Sequence, residues 1–400
     1  MDMNIIKEIA EPADSRIVML VMDGLGGVPM TPDGPTELEA ANTPNLDALA
    51  RRSSCGLHIP VARGITPGSG PSHLALFGYD PFKYQIGRGV LEALGIDFDL
   101  RDTDVAARGN FATVDENGVV TDRRAGRISS EKAAELVALL SQIKLPGGEV
   151  FVEPVREHRF LVVFRGQRLS DALTDSDPGR VGQRPEPVRA TRPEAAATAD
   201  LVNQFISEAD RVLAGHYPAN AVLFRGFAKH PKMPTMQQVF GLKPAAVAIY
   251  PMYRGLAKLV GMEALPSGNS LPEQITAVAA NFQKYSFFFV HYKKTDTAGE
   301  DCDYQRKVRA IEEVDEAIPA LVDLNPDVLI VTGDHSTPAL LRGHSWHPVP
   351  ILIHSRYVRP TGVEAFGERA CLAGELGVFP AVDIMPMAMA NALRLGKYGA

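Results

Sequence analysis

The sequence predicts an α/β protein: a mostly parallel sheet flanked by helices, with a smaller α+β domain inserted into it. Three observations carry this expectation. The stretch RIVMLVMDG at residues 16–24 is a continuous apolar run, as expected of a strand buried on both faces. From residue 245 onward, apolar strands alternate with helical stretches, the rhythm of a parallel sheet covered on both sides. Between residues 112 and 243 that rhythm breaks, and it resumes only afterwards.

Taken in order, the first strand is followed by a Gly/Pro-rich loop and then by NTPNLDALARR, a helix with Thr43 as N-cap and Pro44 at its first position. TPGSGPSHLALFGYDP places Ser69 and Ser72 in a Gly/Pro-rich turn that opens a helix, SHLALFG. In the middle segment, GVVTDRRAGRISSEKAAELVALL reads as a turn and a helix capped near Ser129, and HRFLVVFRG reads as a strand. The stretch that follows, with six arginines between Arg165 and Arg192, is loop-like. Strands then recur at AAVAIY (245–250), FFFVHYK (287–293), DVLIVTGD and VPILIH (349–354), with a helix near 271–285 and a long helix after Asp303. In the long helix, Val308, Ile311, Val314, Ile318, Leu321 and Val322 recur at three- and four-residue spacing and form one apolar face. The expected division is a discontinuous catalytic domain, 1–111 with 244–400, and an inserted domain at 112–243.

A chain of 400 residues with 45% hydrophobic and 22% charged residues can bury more than one core. Its net charge of −7 argues against nonspecific attraction to nucleic acid or to an anionic membrane, so any anionic ligand must be drawn by local positive charge. No apolar run approaches the roughly 20 residues that span a bilayer, and the N-terminal stretch lacks the order of a signal peptide. The three cysteines, Cys55, Cys302 and Cys371, form no CxxC pair and suit a reducing compartment. The expected location is the cytoplasm, and the expected partner is a small phosphorylated molecule rather than nucleic acid or membrane.

The chemistry gathers where apolar strands stop. Asp23 ends the first strand, Asp296 follows FFFVHYKKT, Asp334 and His335 end VLIVTG, and His344 lies in GHSWHPVP just before another strand. Ligands of open α/β sheets collect beyond the carboxyl ends of the strands, so these groups can converge although they are far apart in sequence. Carboxylates mixed with imidazole suit Mn²⁺, Zn²⁺ or Mg²⁺, and two such ions can clamp the attacking and leaving oxygens of a phosphoryl transfer. Ser69 and Ser72 are candidate nucleophiles, because a serine at a helix N-terminus has backbone N–H groups aimed at any phosphate it carries. Residue types alone do not rank the two.

Ordered motifs run from residue 21 to about 350: VMDGLGG, TELEAANTPNLDALA, TPGSGPSHLALFGYDP, GRGVLEALG, ARGNFATVD, DRRAGRIS, EHRFLVVFRG, LSDALTDSDP, KKTDTAGEDCD, TGDHSTP and HSWHPVP. With these motifs the chain resembles the archaeal-type cofactor-independent phosphoglycerate mutases, within the alkaline phosphatase superfamily. The resemblance implies an alkaline-phosphatase-like fold and two divalent metal ions, Mn²⁺ first among them, with no need for 2,3-bisphosphoglycerate. Asp23, Ser69, Asp334 and His335 would surround one ion, and Asp296, Glu300 and His344 the other. It also implies Ser69 as nucleophile, since the family's nucleophile precedes a histidine by four residues and His73 stands at that spacing. At Glu300 the chain departs from the family, which carries histidine there; a carboxylate in its place favours harder ions.

The implied reaction interconverts 3-phosphoglycerate and 2-phosphoglycerate through a phosphoserine, a step of glycolysis and gluconeogenesis. It needs a clamp that holds glycerate and keeps water out, which gives the inserted domain a purpose. The candidate ligand contacts are Arg108 with Asn110, Arg127, His158 and Arg159, and Asp175 or Asp177 is the candidate base on a glycerate hydroxyl. The competing readings are a metal-dependent phosphatase or phosphodiesterase on the same scaffold, and a noncatalytic relative degenerate at Glu300.

Overall fold

The structure, a computed structural model, describes residues 2–399. Two strands come first, β1 (Ile17–Met22) and β2 (Ser54–Ile59). Five follow in the middle of the chain: β3 (Val105–Val114), β4 (Val120–Asp122), β5 (Glu149–Arg156), β6 (Arg159–Arg165) and β7 (Ala221–Ala228). The series ends with β8 (Pro244–Ala248), β9 (Glu263–Ala264), β10 (Phe287–Tyr292), β11 (Val328–Thr332), β12 (Val349–Ser355) and β13 (Gly377–Pro380).

The larger sheet has the order β13-β2-β12-β11-β1-β10-β8-β9. β1 lies at its centre, parallel to β10 and β11, and every residue of the strand is buried, as its unbroken apolar run requires. β8 and β9 continue the parallel set, and β13 is parallel to β2. β12 runs antiparallel to both β11 and β2. That reversal has a consequence for the site: the start of β12 lies at the same sheet edge as the end of β11, where Thr332 pairs with Ile351.

The chain divides into two compact units, one made of residues up to Gln85 together with those from Met233 onward, the other of Ile86–Lys232. The inserted unit therefore starts and ends earlier than the expected 112–243. The reason lies in the helix Arg88–Gly95, which packs directly on β3: a Cβ at Gly89 would lie 2.3 Å from the Ala106 carbonyl. Residues 86–111 are thus built into the second sheet, in which β6 and β7 flank β3, all antiparallel, with β5 outside β6 and β4 on the far end of β3. Helices Ser130–Leu140 and Ala196–Leu213 supply Leu136, Leu140, Val202 and Phe205 to a core with Phe111, Phe160, Phe164 and Phe224. Ser129 caps the first of these helices through Lys132 N, as its position before the apolar run leads one to expect.

The long helix is Tyr304–Asp323, and five of the six residues expected on its apolar face are buried, Val322 being partly so. Pro319 lies inside this helix, so the carbonyl of Asp315 loses its usual partner; Asn45 Nδ2 donates to that carbonyl at 3.2 Å instead. The Asp315 carboxylate accepts from Leu46 N at 2.7 Å and from Asn45 N. The helix Pro44–Ala50 is therefore capped by Asp315 from across the core, because the Thr43 side chain makes no capping bond. Placement of that helix follows from local sequence, but its cap comes from tertiary packing.

Candidate active site

The carboxyl edge of the larger sheet gathers the acidic and imidazole groups. Asp23 follows β1, Asp334 and His335 follow β11, and Asp296 lies in the first turn of the helix Lys294–Glu300 after β10. His344 arrives at the same edge because β12 is antiparallel. Asp23, Asp334 and His335 are fully buried, and one ligand atom of each lies within 4.8 Å of the others. The same holds for Asp296, His335 and His344, so His335 belongs to both groups. The approach is tight: Gly24, at φ +67°, leaves room where a Cβ would meet Thr337 Oγ1 at 2.5 Å and Asp296 Cα at 2.9 Å.

Hydrogen bonding fixes which atoms face inward. Thr337 Oγ1 donates to Asp296 Oδ1 at 2.6 Å and so accepts from His335 Nδ1 at 3.0 Å. His335 Nε2 is left with its lone pair toward Asp23 Oδ1 at 3.4 Å and Asp334 Oδ2 at 3.1 Å. His344 repeats the pattern: Nδ1 donates to the carbonyl of Pro67 at 2.8 Å, and Nε2 faces Asp296 Oδ1 at 3.5 Å. Asp23 Oδ2 receives His291 Nε2 at 3.1 Å and Lys293 Nζ at 2.9 Å, whereas its Oδ1 is buried without a hydrogen-bond partner. Carboxylate oxygens and imidazole lone pairs that converge in a buried place form a donor set that could hold a divalent cation.

Charge follows the same logic. Burial works against ionising Asp23, but Lys293 and His291 outweigh it and hold the carboxyl well below the ordinary range. Asp334 is held at about 2: burial and Asp23 push it up, and His335 and His73 pull it further down. Burial keeps His335 below its usual value. His73, also fully buried, donates from Nδ1 to the Ser69 carbonyl at 2.8 Å and lies 3.1 Å from Asp334 Oδ2; burial opposes its charging, Asp334 favours it, and the net direction is up.

The two serines separate by environment. Ser69 is the first residue of the helix Ser69–Leu76, half-buried, with Oγ 3.3 Å from His335 Nε2. Ser72 is fully buried and uses its hydroxyl on Asp334 Oδ2 and on the carbonyls of Gly68 and Ser69, each at 3.1 Å. Glu300 lies at the rim: its side chain is 55% exposed, Oε1 is 3.9 Å from His344 Nε2, and it stands outside both convergent groups. Burial, then Asp296, raises its pKa.

In the second unit, strand register assembles a different set. Arg108 pairs with Arg225 across β3 and β7, and Asn110 pairs with Arg159 across β3 and β6. Residues two apart on a strand, and residues directly opposite on neighbouring strands, share a face, so all four side chains stand on one side of the sheet. Arg88, at the start of its helix, joins them. Burial, then the guanidinium of Arg159, pushes Arg108 down to about 10, and Glu92, 3.7 Å from Arg108 Nε, offsets this only in part. Arg108 Nε, Arg159 Nε, Asn110 Oδ1 and His158 Nδ1 are buried without hydrogen-bond partners. Burial and neighbouring arginines push His158 down to about 4, which leaves it neutral at pH 7.

Not every expected residue joins this set. Arg127 is exposed, at φ +54° in the turn Ala125–Arg127, and is not among the charges that act most on Arg108. Asp177 has both oxygens held by Arg123, at 2.8 and 2.7 Å, and its pKa is lowered despite burial. Asp175 accepts from Gly226 N at 2.8 Å and keeps a half-exposed carboxylate 3.7 Å from Arg225. Sequence reasoning missed Arg88, Arg225 and Lys293. A signal existed for Arg225, a charge interrupting the apolar strand AVLFRGFA, but Arg88 and Lys293 are lost among many basic residues.

Fold and residue set together define a class of enzyme: α/β proteins with an acid–imidazole site at the carboxyl edge of a largely parallel sheet. Comparison with known proteins narrows this. Residues 50–220 match the model of the 2,3-bisphosphoglycerate-independent phosphoglycerate mutase family. A probable mutase of that name from Aquifex aeolicus is 51% identical over 408 residues, covering 100% of both chains. One from Thermus thermophilus is 49% identical over 99% of both. Among solved structures, a Pyrococcus horikoshii protein superposes with a TM-score of 0.84 at 30% identity, covering 97% of this chain and 100% of its own. The cofactor-independent phosphoglycerate mutase of Thermoplasma acidophilum does so at 0.71 and 32%, covering 94% and 100%. The chain belongs to the 2,3-bisphosphoglycerate-independent phosphoglycerate mutase family and is an enzyme of the isomerase class.

Proposed function

We propose that this enzyme interconverts 3-phosphoglycerate and 2-phosphoglycerate through a phosphoserine at Ser69, serving glycolysis and gluconeogenesis in the cytoplasm without 2,3-bisphosphoglycerate. The names of its relatives support the substrate. The observation that carries the mechanism is the position of Ser69 Oγ, at the start of a helix and 3.3 Å from the imidazole shared by both convergent groups.

The residues present fit two divalent cations, because the buried Asp23 Oδ1 has no partner and the histidine Nε2 lone pairs face carboxylates. Asp23, Asp334 and His335, with Ser69, would hold one ion; Asp296 and His344, with Glu300 from the rim, would hold the other. Such ions, Mn²⁺ foremost and Zn²⁺ or Mg²⁺ as alternatives, would supply acidity to the serine hydroxyl and neutralise charge on the phosphoryl oxygens. The N–H groups at the start of the Ser69 helix add favourable dipoles to the same phosphoryl group.

The Ser69 Oγ–P bond forms as the P–O bond to the glycerate 3-oxygen breaks, and the serine proton passes to that oxygen. The glycerate turns, its 2-oxygen bonds to phosphorus as the Ser69 Oγ–P bond breaks, and the proton of the 2-hydroxyl passes back to Ser69 Oγ. Asp175 is the better base for that hydroxyl, because Asp177 is committed to Arg123 and its lowered pKa makes it a weak one. Arg88, Arg108, Arg159 and Arg225, with Asn110 and His158, bind the acid groups of the ligand: the guanidinium groups crowd one another, and Glu92, Asp175 and Asp177 approach them no closer than 3.7 Å, so the cluster calls for an anion.

The deciding experiment incubates Mn²⁺-loaded protein with 3-phosphoglycerate and measures 2-phosphoglycerate against free phosphate. The expected product is 2-phosphoglycerate; predominant phosphate release would identify a phosphatase instead. Ser69→Ala is expected to abolish transfer with the fold intact, and Ser72→Ala to be mild.

A further inference from the structure

Lys293 ends up where a cation is needed. It follows β10 immediately, at the entry to the helix that carries Asp296. Its ammonium has three N–H donors, and three acceptors stand around it: Asp296 Oδ2 at 2.6 Å, the Tyr253 hydroxyl at 2.8 Å and Asp23 Oδ2 at 2.9 Å. One of these carboxylates belongs to each convergent group, so the ammonium bridges the two. Tyr253 is held in turn by stacking on His291 at 3.6 Å between ring centroids, and His291 donates to Asp23. The Lys293 side chain keeps 18% exposure, whereas Asp23 and Asp296 have at most 1%.

We propose that Lys293 is a positioning residue: a built-in monovalent cation that neutralises the Asp23–Asp296 pair and competes with divalent ions for it. The proposal rests on the two-ion reading of the site and adds to it a control on ion affinity. Removing the ammonium leaves each carboxylate with a neutral donor, His291 on Asp23 and Thr337 on Asp296. What is lost is therefore charge rather than orientation. Two buried carboxylates without a counter-cation destabilise the empty protein, and the same excess of negative charge strengthens the pull on an incoming divalent ion. A purely structural lysine would behave differently, since damage to a site weakens ion binding.

The test compares wild type, Lys293→Met and Lys293→Arg after exhaustive chelation, by thermal unfolding without metal and by calorimetric titration with Mn²⁺. Lys293→Met is expected to melt several degrees lower than wild type when metal-free, and to bind Mn²⁺ about tenfold more tightly or better, because a like charge has been removed from beside the ion. Lys293→Arg, which restores the charge, is expected to return both quantities toward wild type. A metal-free Lys293→Met protein that melts at or above wild type overturns the proposal, and so does an unchanged or weakened Mn²⁺ affinity in a variant whose wild-type parent binds the ion. If neither wild type nor variant takes up Mn²⁺, the two-ion reading fails, and a lowered melting point in Lys293→Met then still upholds the counter-cation role.

Discussion

The two units bury charge of opposite sign, and they differ in how much of it the protein balances by itself. At the carboxyl edge of the larger sheet, Asp23, Asp296 and Asp334 are compensated by Lys293 and His73, with His291 as a neutral donor to Asp23, and a few lone pairs remain unmatched. On the second sheet, Arg88, Arg108, Arg159 and Arg225 crowd one another with Glu92 and Asp175 for relief. A buried excess of charge is costly unless a ligand completes it, so the first region calls for cations and the second for an anion. Both demands agree with the phosphoryl transfer proposed above.

The sharpest break of this comparison is at Asp334. Asp334→Asn removes one lone-pair carboxylate and is expected to lower turnover about a thousandfold or more and to cut retained Mn²⁺, measured by steady-state kinetics and metal analysis. Next is Arg108→Met, which is expected to raise KM for 3-phosphoglycerate about ten- to a hundredfold. Because the guanidinium is crowded by its own kind, the ligand-free melting temperature is expected to stay level or rise; a clear fall would show that the arginines are structural.

Glu368 tests burial of an acid whose hydrogen-bond donors are both neutral. It accepts from Gly27 N at 2.9 Å and Thr36 Oγ1 at 2.6 Å, yet burial pushes it up to about 7. Its folded pKa exceeds the unfolded value, so ionisation costs more in the folded state. That cost is absent below about pH 4, grows between the two pKa values and is constant above about pH 8. Glu368→Gln is therefore expected to gain stability relative to wild type between pH 4.5 and 8, on the order of 2 kcal/mol, read from unfolding at the two pH values. The smallest effect is expected at Asp315, a buried acid satisfied by Leu46 N, Asn45 N and Asn45 Nδ2. Asp315→Ala is expected to cost about 1–2 kcal/mol of stability and leave Mn²⁺ affinity unchanged.

Much of this was legible because each acid or histidine stands where an apolar run ends, a pattern visible along the chain for Asp23, Asp296, Asp334 and His335. Arg108, Asn110 and Arg159 were also visible, in strand segments interrupted by polar residues. Arg127 and Asp177 look equivalent to them in sequence, yet one lies on an exposed turn and the other in a guanidinium fork. Arg225 is brought beside Arg108 by strand register, and Arg88 by the packing of its helix on β3. The boundary at residue 86 was hidden for a related reason: the helix Arg88–Gly95 resembles any other αβ connection until its close approach to β3 is seen.

By itself the sequence determined the α/β class, the order of strands and helices, and the residue types held at strand ends, because hydrophobic period and turn chemistry are local properties. Tertiary structure alone decided that β12 runs backward and so delivers His344, that Lys293 bridges Asp23 and Asp296, and that Arg108, Arg159 and Arg225 share one face of the second sheet. Those facts depend on contacts between separate segments of the chain, and no local preference encodes a register.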